Sequence, residues 1–291
     1  MFSTDGIMFR QITLPPLTIA FWTQAIAAVI LLTWQGRALH RYPRLLQNQS
    51  TLYRLLVLGI LRAMDTVAFI SAVFLAPIAK VIVVAYLFPI YTMLLAYRFL
   101  GERMTMGSIG AALTALLGII VLVLPELGPA STGDLPGLLL AGFVSLSVAI
   151  KRVLLKSFDP VIPSRLILLV EASLGALILA PFFLFGDRPE SISGQNIMFM
   201  VLAGLLYGVV AHTLMLTGLR VVPAGSAAVV GYLEPVSASL LAWWLLGESV
   251  STYTFIGGML VLAGSLTVML NQMQKERTVP LPYQDLPHQG R

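Results

Sequence analysis

Cysteine is missing from all 291 residues, which excludes disulfides, thiolate metal sites and a cysteine nucleophile. Charge is nearly as scarce. Lys, Arg, Asp and Glu make up 11% of the chain, against roughly 25% in soluble domains, too little to cover a water-soluble globule. Only three histidines occur, with no HExxH, no phosphate-cradling P-loop, no G-x-S-x-G and no carboxylate–histidine metal spacing. The sequence therefore predicts no enzyme, no metal and no cofactor. The net charge of +5 and pI near 9.6 come from basic residues scattered between apolar runs, not from a patch, so no nucleic-acid partner is expected.

What is present is apolar sequence: 58% hydrophobic residues and a mean hydropathy of +0.90. A helix that crosses a bilayer needs about 20 such residues. Stretches of that kind fall at roughly 14–34, 54–76, 79–98, 106–125, 136–153, 165–185, 196–219, 224–246 and 252–271. Leu55–Leu61 and Leu113–Leu124 are apolar on every side, unlike the alternating strands of a membrane barrel. The predicted class is an all-α polytopic membrane protein with about nine spans, its main partner the lipid bilayer. The segment 273–291, with charges, three prolines and no apolar period, reads as a disordered tail.

Cations in loops set orientation. Arg37, Arg41, Arg44, Arg54, Arg98, Arg103, Lys151, Arg152, Lys156, Arg165, Arg220, Lys275 and Arg277 fall on one side, thirteen in all. Only three, Arg10, Lys80 and Arg188, fall on the other. The C-terminus is thus expected in the cytoplasm and, with nine spans, the N-terminus outside.

The chain repeats itself. A shift of 146 residues lays Pro77 on Pro223, Tyr86-Leu87-Phe88-Pro89 on Tyr232-Leu233-Glu234-Pro235, and Leu100-Gly101-Glu102 on Leu246-Gly247-Glu248. Residues 76–105 match at 12 of 30 positions without a gap. By the loop charges the two copies run in opposite directions, and inverted repeats are a hallmark of secondary transporters. The doubled Tyr-Leu-x-Pro with Leu-Gly-Glu eleven residues on resembles the EamA-type branch of the drug/metabolite transporter superfamily, over about residues 8–271.

That resemblance implies ten helices in two inverted five-helix repeats, both termini cytoplasmic in the cell membrane. It also implies movement, often export, of small metabolites such as amino acids. The repeats would occupy 1–126 and 133–272. The first copy shows only four spans, and Met1–Ile12 looks like the end of a largely missing first helix. Where relatives often carry Arg in the second helix of each repeat, this chain has Gln24 and Glu171. The rival reading is a non-transporting membrane partner or sensor of the same fold.

Ionisable groups at membrane depth are expensive and so are site candidates. Arg62 and Asp65 lie one turn apart on one helix face, as a self-neutralising pair or as part of a wet cavity. Glu234 precedes Pro235 in mid-span, and the prolines free the carbonyls of Gly231 and, in the other half, of Ala85 before Pro89. Such matched breaks point to a midplane site. Tyr86 and Tyr232 flank them, to stack on a substrate or to bond between helices. His212 maps onto Thr66 beside Asp65, for proton coupling or for packing. Glu171 stands near a span end from which it could snorkel, with Gln24 as its neutral counterpart. Glu102 and Glu248 are expected to act locally, at the start of the following helix. Gly107, Gly110, Ala111, Ala115 and Gly118, matched by Gly257, Gly258, Ala263 and Gly264, form small faces for close packing within the chain or in a homodimer.

The charge bias predicts that reporter fusions after Arg44, Lys156 and Lys275 report cytoplasm and that fusions after Leu127 and Asp187 report the far side. A swapped pattern would overturn the orientation.

Overall fold

Prolines and polar caps punctuate the chain where the spans end. In the computed structural model, which describes residues 14–35, 48–129, 131–159, 161–185, 192–246 and 251–278, all nine expected spans are helical. They comprise α1 (Pro16–Gln35), α2 (Gln49–Leu75), the pair α3 (Ile78–Ala85) and α4 (Phe88–Leu100), α5 (Met106–Val123), α6 (Leu135–Lys156), α7 (Ser164–Phe185), α8 (Gly194–Ala203) running into α9 (His212–Val221), the pair α10 (Ala224–Val230) and α11 (Leu233–Leu246), and α12 (Thr252–Thr278). Asn48 starts α2 by accepting the Ser50 N–H at 2.9 Å, and Thr105 and Ser193 cap α5 and α8 in the same manner at 3.2 Å. Gly101, at φ 67°, ends α4 in the left-handed conformation that a side chain disfavours.

Pro77 and Pro223 perform the same local task in each half. A residue before proline is pushed out of helical space, and Ala76 and Val222 are extended (ψ 156° and 157°), so α2 and α9 stop there and a new helix starts at once. One expected boundary moves. Helix α12 continues to Thr278, six residues into the segment read as tail, because Gln, Met, Lys, Glu and Arg favour helix without any apolar period. The rest of that tail, Met1–Ile12 and Glu248 lie outside the described residues.

The halves interlock rather than sit side by side. Helix α1 lies along α7, α2 along α6 and α7, α4 along α6 and α10, and α5 along α12. Each contact joins one repeat to the other. The small faces are used here, inside the chain: a Cβ on Gly118 would stand 2.7 Å from the Gly257 carbonyl, and one on Gly257 would stand 2.6 Å from the Gly118 carbonyl. Backbones approach this closely only because no side chain intervenes.

Gly257→Val should therefore destabilise the protein by about 1–3 kcal/mol, the usual cost of overpacking, read as a lower unfolding temperature in detergent. An unchanged midpoint would show that α5 and α12 do not depend on this contact.

Candidate functional site

Two helix breaks meet where the repeats cross. In the first half α3 ends at Ala85 and α4 begins at Phe88, with Pro89 in its first turn; in the second, α10 ends at Val230 and α11 begins at Leu233. Tyr86 stacks on its own repeat mate Tyr232, with ring centroids 6.1 Å apart and planes 24° from parallel. Two residues at equivalent positions of the sequence repeat thus touch each other. Phe88 leans on the same Tyr232 ring at 6.4 Å. Its counterpart Glu234 faces the Tyr86 hydroxyl and lies in the field of Arg152.

The backbone at the second break tightens instead of leaving its carbonyls open. The Gly231 carbonyl, expected to be unpaired because Pro235 has no N–H, accepts the Glu234 N–H at 3.1 Å. Gly231 and Tyr232 donate to Ala228 and Val229, each at 3.0 Å. The one-turn contraction leaves the Ala227 carbonyl without its usual partner, the Gly231 N–H. The Arg152 guanidinium reaches it at 3.5 Å while lying over the Phe88 ring at 4.3 Å.

The other buried charges pair across elements, not along them. Arg62 and Asp65 do share a face of α2, but they do not neutralise each other. Arg62 bonds Glu171 of α7 at 3.5 Å, and Asp65 pairs closely with Lys151 of α6. Glu171 is 1% exposed and does not snorkel, because its partner lies inward. Gln24, also buried, reaches Thr66 at 3.5 Å. Its amide sits over Gly175 of α7, where a Cβ would collide with it.

His212 follows a π-helical stretch, Gly204–Ala211, that joins α8 to α9 inside what the sequence suggests is one regular helix. The wider turn lets the imidazole Nδ1 bond the Tyr207 carbonyl at 2.8 Å and stand edge-on to that ring at 4.8 Å. Single π turns inside α-helices often mark functional sites. The ring lies in the fields of Arg62, Lys151 and Arg152, which ties it to the same cluster.

Lys151 and Arg152 are the residues that sequence reasoning placed elsewhere. Counted as loop cations, they stand inside α6 facing the cluster. The signal was available, since both fall within the apolar stretch 136–153. Removing these two from the thirteen leaves the orientation bias intact.

Ion pairs also join the halves at each end of the bundle. Glu102 does not act on the following helix, α5, which Thr105 caps. Its carboxylate accepts the N–H groups of Ala224 (2.7 Å) and Gly225 (3.3 Å) at the start of α10, and meets Lys156 Nζ at 3.4 Å. Lys156 also donates to the Leu219 carbonyl at 3.1 Å and to that of Val222, the last acceptors of α9. Toward the opposite end, Lys80 at the start of α3 pairs with Asp134 at 2.6 Å. Among the described residues no group of three His, Asp or Glu side chains could hold a metal.

Comparison with known proteins agrees with this architecture. A solved crystal structure superposes with a TM-score of 0.81, covering 93% of this chain and 95% of its own, at 20% identity, which shows the shared fold. The riboflavin transporter of Rhizobium johnstonii is 26% identical over 92% of this chain and 85% of its own length. The uncharacterised inner membrane transporter YicL of Salmonella typhimurium is 25% identical over 86% and 84%. The family model described as the EamA-like transporter family matches residues 1–124 and again 135–270, one copy per repeat. The chain belongs to the EamA-like transporter family.

Proposed function

We propose that the protein is a secondary transporter of the cell membrane, C-terminus in the cytoplasm, that exports small metabolites such as amino acids by alternating access. The carrying observation is the meeting of two interrupted helices at Tyr86 and Tyr232, one from each inverted repeat, within a ring of buried charges. A solute held there contacts both halves at once, so a change in their mutual tilt alters its access without dismantling its site.

The end contacts suit such a motion. Opening toward the C-terminal side separates Glu102 from α10 and Lys156, and opening toward the other side separates Lys80 from Asp134. Each set is polar and close to water when parted, so neither opening strands a charge in hydrocarbon. Asp65 is our candidate for proton coupling. It pairs with Lys151 and lies one turn from Arg62, which is bound to Glu171, so loss of its charge leaves Lys151 without its partner.

Flux of a radiolabelled amino-acid mixture into proteoliposomes tests the reading. Glu234→Phe, which installs the first repeat's own residue, should preserve expression and reduce flux at least ~10-fold, since a lost charge-assisted hydrogen bond is worth about 1.5–3 kcal/mol. Wild-type flux retained in this variant would remove Glu234 from the site. Absence of flux from the wild type, with ligand binding intact, would favour the sensor reading.

Asp65→Asn should slow flux and abolish its response to an imposed pH gradient. A variant that responds as the parent does would exclude Asp65 as the coupling group.

A further inference from the structure

We propose that Arg152 receives an anionic group, a carboxylate, of the solute bound between the helix breaks, and so selects carboxylate-bearing solutes over their neutral analogues. The inference rests on the transport reading above and names a determinant within that site.

Three cations surround the crossing of the halves, and two are committed. Arg62 has Glu171, and Lys151 has Asp65. Arg152 makes no ion-pair contact with a carboxylate among the described residues. A guanidinium carries five N–H donors in a planar fork. Here the fork has one 3.5 Å bond to the Ala227 carbonyl and one aromatic face, and its Nε has no acceptor. Buried donors in native proteins are nearly always satisfied, and the partner whose geometry fits this fork is a carboxylate accepting two parallel bonds.

Gly231 lies beside the fork: a Cβ there would stand 3.5 Å from Arg152 Nη2, 3.2 Å from Phe88 Cζ and 2.9 Å from the Ala228 carbonyl, so the backbone here approaches the guanidinium with no side chain between them. The Tyr232 hydroxyl, on a fully buried ring, has no hydrogen-bond partner in the described structure. Neither does the hydroxyl of Ser145, two turns before Arg152 on the same face of α6. Both are neutral donors able to support an oxyanion.

A purely structural arginine, holding only the Ala227 carbonyl and the Phe88 ring, would affect every solute alike. The test therefore uses pairs of solutes that differ only in the carboxylate: L-leucine against L-leucinamide, and L-phenylalanine against L-phenylalaninamide. Affinities are read from the solute-induced rise in unfolding temperature of the purified protein. The wild type should bind at least one acid ~10-fold more tightly than its amide, the weight of one charge-assisted contact. Arg152→Gln, which removes the charge and the fork but keeps a polar side chain, should bind acid and amide equally. Arg152→Lys, which keeps the charge without the fork, should show an intermediate ratio and decides the matter if the Gln variant does not fold. An undiminished preference in either variant, or a wild type that prefers neither acid, overturns the assignment of Arg152. Proteoliposome flux judges the transport reading separately, so the two failures are distinguishable.

Discussion

A charge inside hydrocarbon needs a partner, and in this protein the partner is nearly always on the other repeat. An unpaired ion at the bilayer centre costs about 2.5–3.5 kcal/mol even on the mildest scales. Arg62 of α2 therefore turns to Glu171 of α7, and Asp65 of α2 to Lys151 of α6. These contacts lie where the interlocked halves cross. The polar interior is thus an adhesive between the repeats and, in the reading proposed above, the place where a polar solute binds.

The two repeats share their backbone logic and differ in their side chains. Pro77 and Pro223 end one helix and start the next; Pro89 and Pro235 restart a helix after its break; Tyr86 and Tyr232 meet face to face. Within that symmetric frame, Phe88 is answered by Glu234. The phenyl ring accepts the Arg152 guanidinium on its face, while the carboxylate faces the Tyr86 hydroxyl and stays in the field of Arg152. In the mechanism proposed above, symmetry supplies a hinge with two equivalent tilts, and its violation at this pair supplies a polar, directional site.

Features governed by local backbone chemistry were legible in the sequence. The spans, the two breaks, the repeat and the family pattern follow from apolar length and from where proline falls. Side-chain partnership was not legible, because it is decided between elements distant in the chain. Arg62 and Asp65 share a helix face, yet each bonds a residue about 85 to 110 positions away. Glu102 looked like a local turn residue and instead caps a helix that starts 122 residues later. Lys151 and Arg152 were sorted by a rule for loop cations that cannot tell a helix end facing water from one facing a polar interior. The π turn before His212 carries no residue-type signature at all.

The central claim is that the halves tilt against each other about the Tyr86–Tyr232 contact. A chain without cysteine allows spin labels to be placed at will, and double electron–electron resonance can follow two pairs: positions 103 and 221 at the C-terminal side, and 126 and 185 at the opposite side. The account predicts two populated distances for each pair, with conditions that lengthen one pair shortening the other. A single, condition-independent distance at both ends, in a protein that transports, would contradict it.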